Sequence, residues 1–406
     1  MRRVVITGSG VISPLGNSVE DLMAGLAAEE SSVRFMDHWS EYKGLGSLVA
    51  APAILENERE IPRQSRRTMG RLSIFAVQSA RQAVAESGVT DELMRSGRMG
   101  CVFGSTMGSA GSINDTFEIM LPDKNLNLLN STKFFQSVSH TASMNVSQCL
   151  GVNGVVMATS SACASGLQAL GTAFDLIRCG RQDIVLCGGA EELHPTVTGS
   201  FDILYATSTK YNDTPKQTPR PFDKDRDGLV CGEGAGTLVL EEYEHAQARG
   251  VKIIAEVIGY NTCGSGSHVS QSSSDAIERC LRGVLAESGL KPADVDYVNA
   301  HATATLNGDA EEAKAIAAIF GDKVPVSSLK GYMGHTLGAS GPIELIASLG
   351  MMQEGVVYPT LNLENIDPAC TGVQHVQERL ERPIDVVVKN SFAFGGINAS
   401  VACRRI

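Results

Sequence analysis

The chain has 406 residues, 45 of them acidic and 34 basic, for a formal net charge of −11. That balance argues against nucleic acid as a partner, because phosphate binding needs a basic face. No apolar run approaches the ~18 residues of a membrane span. The ten cysteines lie singly with no C-x-x-C, which predicts no disulfide framework, no metal site and a reducing cytoplasm. Val4-Val5-Ile6-Thr7-Gly8 reads as a buried strand, entered too directly for a signal peptide. The glycine-rich run to Gly16 invites a dinucleotide loop, but Pro14 interrupts it and the spacing is not G-x-G-x-x-G. A polar-capped helix is expected over 17–26. Arg63, Arg66, Arg67 and Arg71 form a basic cluster that leads into a helix over 72–87. The cluster is either a solvated helix start or a docking patch for an acidic partner, to which Lys124 adds from a distant loop. Residues 99–104 predict a strand ending in small residues, and 134–150 a helix.

Next comes Met157-Ala-Thr-Ser-Ser-Ala-Cys163-Ala-Ser-Gly166. A strand is expected over 154–157, and after Gly166 the apolar positions take a helical period. Cys163 therefore falls at a strand-to-helix turn, with small neighbours that leave room for a substrate. A helix start favours a thiolate and can stabilise an oxyanion built on it. The competing reading is a small buried hydrophobe. Cys187, in the strand 183–187, reads as structural. Asp223-Lys-Asp225-Arg-Asp227-Gly228 begins like a calcium loop, but its twelfth residue is Gly234. These acids read as turn and ion-pair residues.

Near residue 250 the pattern restarts. Strands are expected over 251–259, 295–299, 324–328 and 386–389, with helices over 275–288 and 311–320. This alternation predicts largely parallel sheets covered by helices. It also predicts two similar halves, 1–250 carrying the cysteine and 251–406. The second half puts His301 after an apolar strand, His335 in a glycine-rich turn, and Asn390 to Asn398 in a third strand-end loop. Open α/β sheets build sites at such ends. One histidine there would read as structural; two, with a cysteine, point to chemistry. No H-x-x-x-H spacing marks a metal site.

The quoted motifs Thr159-Ser-Ser-Ala-Cys163-Ala-Ser-Gly166, Asn299-Ala-His301-Ala-Thr303-Ala-Thr305, Lys330 with Gly334-His335, Asn390-Ser-Phe-Ala-Phe394-Gly-Gly396 and Arg220-Pro-Phe-Asp-Lys-Asp-Arg-Asp-Gly228 resemble the elongating β-ketoacyl-acyl carrier protein synthases of bacterial type II fatty acid synthesis. The resemblance covers essentially the whole chain. It implies a thiolase-like fold, a duplicated five-layer α-β-α-β-α sandwich, and a homodimer, with a heterodimer with a related subunit also open. The implied reaction is a decarboxylative Claisen condensation of malonyl-carrier protein with an acyl chain held on Cys163. No cofactor is implied beyond the phosphopantetheine that arrives on the acyl carrier protein.

Residue by residue, the resemblance makes Cys163 the nucleophile and gives Cys163 and Phe394 the oxyanion-hole N–H groups. It makes His301 and His335 the donors to the decarboxylating thioester. Lys330 and Glu312 become paired ions near them, with Asp309 in the same polar network. Thr303 and Thr305 would hold the pantetheine arm. Phe394 would be a gate, Met107 the floor of the acyl pocket, and Phe201 part of its wall. Arg63, Arg66, Arg67 and Lys124 would be the carrier-protein docking face. The chain departs from the family pattern at Ala302, Ala304 and Ala393, where glycines are usual, and at Ile397 and Leu229. Those changes put gating and substrate range in question. They keep open a specialised synthase of a polyene or polyketide-type pathway working with a chain-length-factor partner. A non-catalytic partner subunit is a further alternative, disfavoured because Cys163 is present.

Overall fold

The structure, a computed structural model, describes residues 1–266 and 268–406. Its main elements are β1 (Val4–Ile12), α1 (Arg71–Ser87), β2 (Met99–Gly104), α2 (Thr141–Leu150), β3 (Val156–Thr159), α3 (Ser165–Arg178), β4 (Ile184–Glu191) and β5 (Gly234–Glu242) in the first half. The second half has β6 (Ala255–Gly264), α4 (Ser274–Ser288), β7 (Tyr297–Asn299), α5 (Leu306–Phe320), β8 (Pro325–Ser327), α6 (Ser340–Glu354), β9 (Gln374–His375), β10 (Val386–Ala393) and β11 (Ile397–Arg404).

The strands join in the order β9-β8-β7-β10-β11-β6-β1-β5-β4-β2-β3. Within each half the third, second and fourth strands are mutually parallel, the fifth runs against the fourth, and the first against the fifth. The halves thus share one strand order, third-second-fourth-fifth-first, with β9 added at one edge. Val4–Ile6 pair with Ala255–Val257 and bind the two sheets edge to edge. Helices α1 and α2 cover the outer face of the first sheet, α3 and α6 lie between the sheets, and α4 and α5 cover the second. This is the thiolase-like layering that the resemblance implied.

The strands are not largely parallel, as the alternation alone suggested. Each half closes with an antiparallel pair, and β10 and β11 form a hairpin in which Phe392 faces Asn398. Asn390 and Phe392 therefore lie within a strand, not a loop. Both β1 and β5 are buried along their whole length, so neither shows the apolar-polar alternation of a half-exposed strand. The helix expected over 134–150 is two, Ser131–Ser137 and α2, because Val138 is extended and Thr141 Oγ1 donates to Phe135 O at 2.8 Å. β3 begins two residues later than expected and is an exposed sheet edge. Helix α6 is buried from Ser340 to Leu349 on every face, as a helix between two sheets must be. Among the described residues, no helix is long and apolar enough to cross a membrane, and the ten cysteines are free thiols.

The duplication is also local. The third strand of each half leads through a residue at positive φ, Ala162 (+48°) or Leu337 (+50°), into the same Ala-Ser-Gly, residues 164–166 and 339–341. Cys163 occupies this elbow in the first half and Gly338 in the second. The two elbows touch: a Cβ on Gly166 would fall 2.4 Å from Gly338 O.

Candidate active site

Cys163 lies two residues before α3 and is 4 % exposed. Ala110, Val197 and Leu337, with Phe201 and Ala393, form an apolar shell around it. His301 lies two residues past the end of β7 and His335 follows the turn after β8. The Cys163 sulfur and one ring nitrogen of each histidine lie within 4.8 Å of one another. The two rings meet edge to face, 5.0 Å between centroids. All three side chains line one pocket, together with Phe201, Leu229, Thr303, Thr305 and Phe394.

Each histidine is held by its backbone. The N–H of His335 donates to Val230 O at 2.7 Å, and its carbonyl accepts from Gly232 N at 2.8 Å. The N–H groups of His301 and Ala302 donate to the two oxygens of Glu312 at 2.8 and 2.7 Å. The rings stay uncommitted. Among the described residues, Nδ1 of His301 and both ring nitrogens of His335 are buried without a hydrogen-bond partner. Burial holds both imidazoles well below the usual histidine pKa, with the Lys330 ammonium pushing the same way. They are therefore neutral near pH 7, each with one N–H to give and one nitrogen to receive a proton.

The thiol departs from the expectation of a thiolate-favouring helix start. Burial pushes Cys163 up to about 12, and Lys330 opposes only part of that shift. The resting sulfur is protonated, so its activation calls for a proton acceptor. The neighbouring imidazoles are chemically suited to that part.

The expected pairing of Lys330 with Glu312 is corrected. Lys330 and Glu344 form the ion pair, both fully out of solvent, and Glu344 Oε2 lies 2.6 Å from Nζ of a second buried lysine, Lys389. Glu312 is occupied by backbone N–H groups and by Asn390 Nδ2 at 3.3 Å. Local sequence gave no pairing partner, because Glu344 sits on α6. Its only local signal is an acid in the mostly apolar stretch 341–352, just as Lys389 is a lysine in the apolar run Val386-Val-Val-Lys389. Asp309 anchors the loop after His301, accepting from Phe222 N at 2.8 Å and Ala304 N at 3.0 Å; burial raises it to about 7. Ala304, where glycine is usual, has φ +70°, a region that costs a residue with a Cβ about 1 kcal/mol or more.

Thr303 and Thr305 line the pocket mouth with their hydroxyls 3.2 Å apart. The Phe394 ring stands 5.8 Å from that of Phe201. Gly395 and Gly396, at φ +89° and +73°, make the turn behind it. Met107 is a correction: it is 45 % exposed and does not line this pocket within the single chain. Arg63 and Arg67 are exposed, whereas Arg66 is partly spent on Ile61 O (3.0 Å) and Glu58 (3.4 Å). Lys124 is exposed on a separate loop. The cysteine and two histidines offer a donor set that a transition metal would accept. The set is loose, however: bonds of about 2.0–2.3 Å draw ligand atoms closer together than 4.8 Å. Among the described residues, His335 also lacks the second-nitrogen partner that orients a ligating imidazole.

Residues 1–246 match the beta-ketoacyl synthase N-terminal domain and residues 254–364 the C-terminal domain. The chain belongs to the beta-ketoacyl synthase family. The synthase is 37% identical to 3-oxoacyl-[acyl-carrier-protein] synthase 1 of Haemophilus influenzae, across 100% of this chain and 99% of that one. It superposes on a beta-ketoacyl synthase from Burkholderia phymatum STM815 with a TM-score of 0.97, at 44% identity and 100% coverage of both chains. It is also similar, with a TM-score of 0.91 and 30% identity over 100% of this chain and 99% of the other, to a chain of AntDE:AntF, a type II polyketide synthase acyl-carrier protein in complex with its ketosynthase. This synthase is a condensing acyltransferase.

Proposed function

We propose that this synthase joins malonyl-carrier protein to an acyl chain held on Cys163, lengthening it by two carbons. The observation that carries this reading is the convergence of one sulfur and two neutral imidazoles on a single pocket wall. The Cys163 thiol gives its proton to a neighbouring imidazole as its sulfur attacks the acyl thioester. The proton ends on the departing pantetheine thiolate. The backbone N–H groups of Cys163 and Phe394 hold the oxyanion; losing one such donor costs on the order of 3 kcal/mol of barrier. Malonyl thioester then enters past Thr303 and Thr305. As carbon dioxide leaves, negative charge collects on the thioester oxygen, where His301 and His335 each offer an N–H. The carbanion attacks the acyl-cysteine and frees the sulfur.

Arg63, Arg67 and Lys124 serve as a docking face for an acidic carrier protein, with Arg66 in a supporting part. The synthase works as a homodimer through the β3 edge. There Val156 and Met157 expose apolar surface that a single chain leaves open, and Met107 and Phe134, elsewhere in the first half, are exposed as well. Met107 would reach the acyl pocket only in that assembly. A second reading, a polyketide-type synthase with a non-identical partner, is favoured by the similarity to AntDE:AntF and by Ala302, Ala304 and Ala393. Product profiles with acyl carrier proteins of graded chain length separate the two. The mechanism itself is tested by intact mass after incubation with an acyl-carrier-protein thioester. An acyl increment confined to the Cys163 peptide is expected; its absence ends the reading.

A further inference from the structure

Lys389 is a lysine in the middle of a buried strand, and its side chain is fully out of solvent. Its Nζ lies 2.6 Å from Glu344 Oε2 and donates to Asn390 O at 2.5 Å. Glu344 Oε1 already holds Lys330, so the carboxylate is neutralised without Lys389. A second buried ammonium is costly to desolvate, and the fold does not need it for charge balance at Glu344. What the second ammonium adds is field. Both His301 and His335 feel its positive charge, which works with burial to keep them unprotonated. It is also wired to the histidine mounting, since Asn390, whose carbonyl it grips, donates through Nδ2 to Glu312, the anchor of the His301 and Ala302 N–H groups.

We propose that Lys389 is a positioning residue for the decarboxylation half-reaction. It takes the second oxygen of Glu344, sets a second ammonium behind the two imidazoles, and so favours the oxyanion that forms when carbon dioxide departs. The inference rests on the mechanism proposed above and assigns one of its steps to a residue outside the pocket wall. The groups that face the Lys389 ammonium are Glu344 from α6, Lys330 from the turn after β8, Glu312 from α5, and the two histidines. Burial lowers Lys389 to about 8, against the pull of Glu344. It is charged below that pH and neutral above it, so the support it gives is present in the neutral range and fades as pH rises through 8.

The test uses the full chain with Lys389→Met, which keeps volume and leaves Lys330 paired with Glu344. Acylation of Cys163 by an acyl-carrier-protein thioester, followed by intact mass, is expected within about twofold of the parent. Release of carbon dioxide from malonyl-carrier protein is expected to fall about tenfold or more in kcat, with KM little changed. The parent rate should break downward near pH 8, and the variant should lack that break. Should Lys389→Met not accumulate as folded protein, Lys389→Gln, which removes the charge and keeps an N–H donor on a side chain one atom shorter, carries the same measurements. A variant that releases carbon dioxide at the parent rate, with the same alkaline break, overturns the proposal. If instead the parent never acylates Cys163, it is the mechanism that fails, and the two failures are told apart.

Discussion

The two halves of this synthase share a strand order and an elbow, yet only one elbow carries a side chain that can react. In the first half the elbow residue is Cys163, at the wall of the pocket. In the second it is Gly338, whose N–H donates to Glu191 Oε2 at 3.0 Å, the same oxygen that takes Thr106 N. A Cβ on Gly338 would fall 2.9 Å from that oxygen and 3.0 Å from Ser105 Cα. The second elbow is thus a keystone between halves, closed to any side chain. Its half contributes instead the imidazoles and the buried charges behind them. The two halves keep one scaffold, and packing around Gly338 leaves no room for a side chain at the second elbow.

The largest loss is expected at the cysteine. Cys163→Ala should abolish the acyl adduct and reduce condensation by about 10³-fold or more, measured by product formation and intact mass. His335→Ala, which removes the second half's contribution, should cost carbon dioxide release about 10²-fold while the Cys163 adduct still forms, if more slowly. Because burial holds both imidazoles well below the ordinary histidine pKa, the neutral forms persist as pH falls, and the acid limb of decarboxylation should lie below pH 6.5. An acid limb at 6.5 or above would contradict the neutral-donor assignment.

Smaller effects are expected at Gly338 and Ala304. Gly338→Ala should lower stability by about 1–3 kcal/mol through overpacking against Glu191 and Ser105, read as a shift in the denaturant midpoint. The same substitution at an open elbow would be nearly silent. Ala304→Gly should raise stability by several tenths of a kcal/mol, because it relieves a Cβ at φ +70°, with kcat little changed. A loss of stability there would mean the alanine methyl packs usefully.

Much of the candidate site was legible because it is local. Cys163, His301 and His335 each end a short apolar run in a cluster of small residues, and such clusters are visible within about ten residues of sequence. The pairing of Lys330 was not legible, since its partner Glu344 lies on a helix that returns to the site only through packing. Lys389 looked like the end of a strand that in fact continues to Ala393. The hairpin of β10 and β11 was missed because Gly395-Gly396 also suits a loop. Met107 lies outside the pocket of the single chain, because a residue that resembles a pocket floor is exposed until something covers it.

The chain order of residues determined the alternation of strands and helices, the repeat of that alternation, and the three positions where small residues bare a reactive side chain. Only the tertiary structure decided that the thiol rests protonated, that the imidazoles rest neutral, and that two lysines share one glutamate. Those properties depend on burial and on neighbouring charge, and here both are set by segments that lie far apart along the chain.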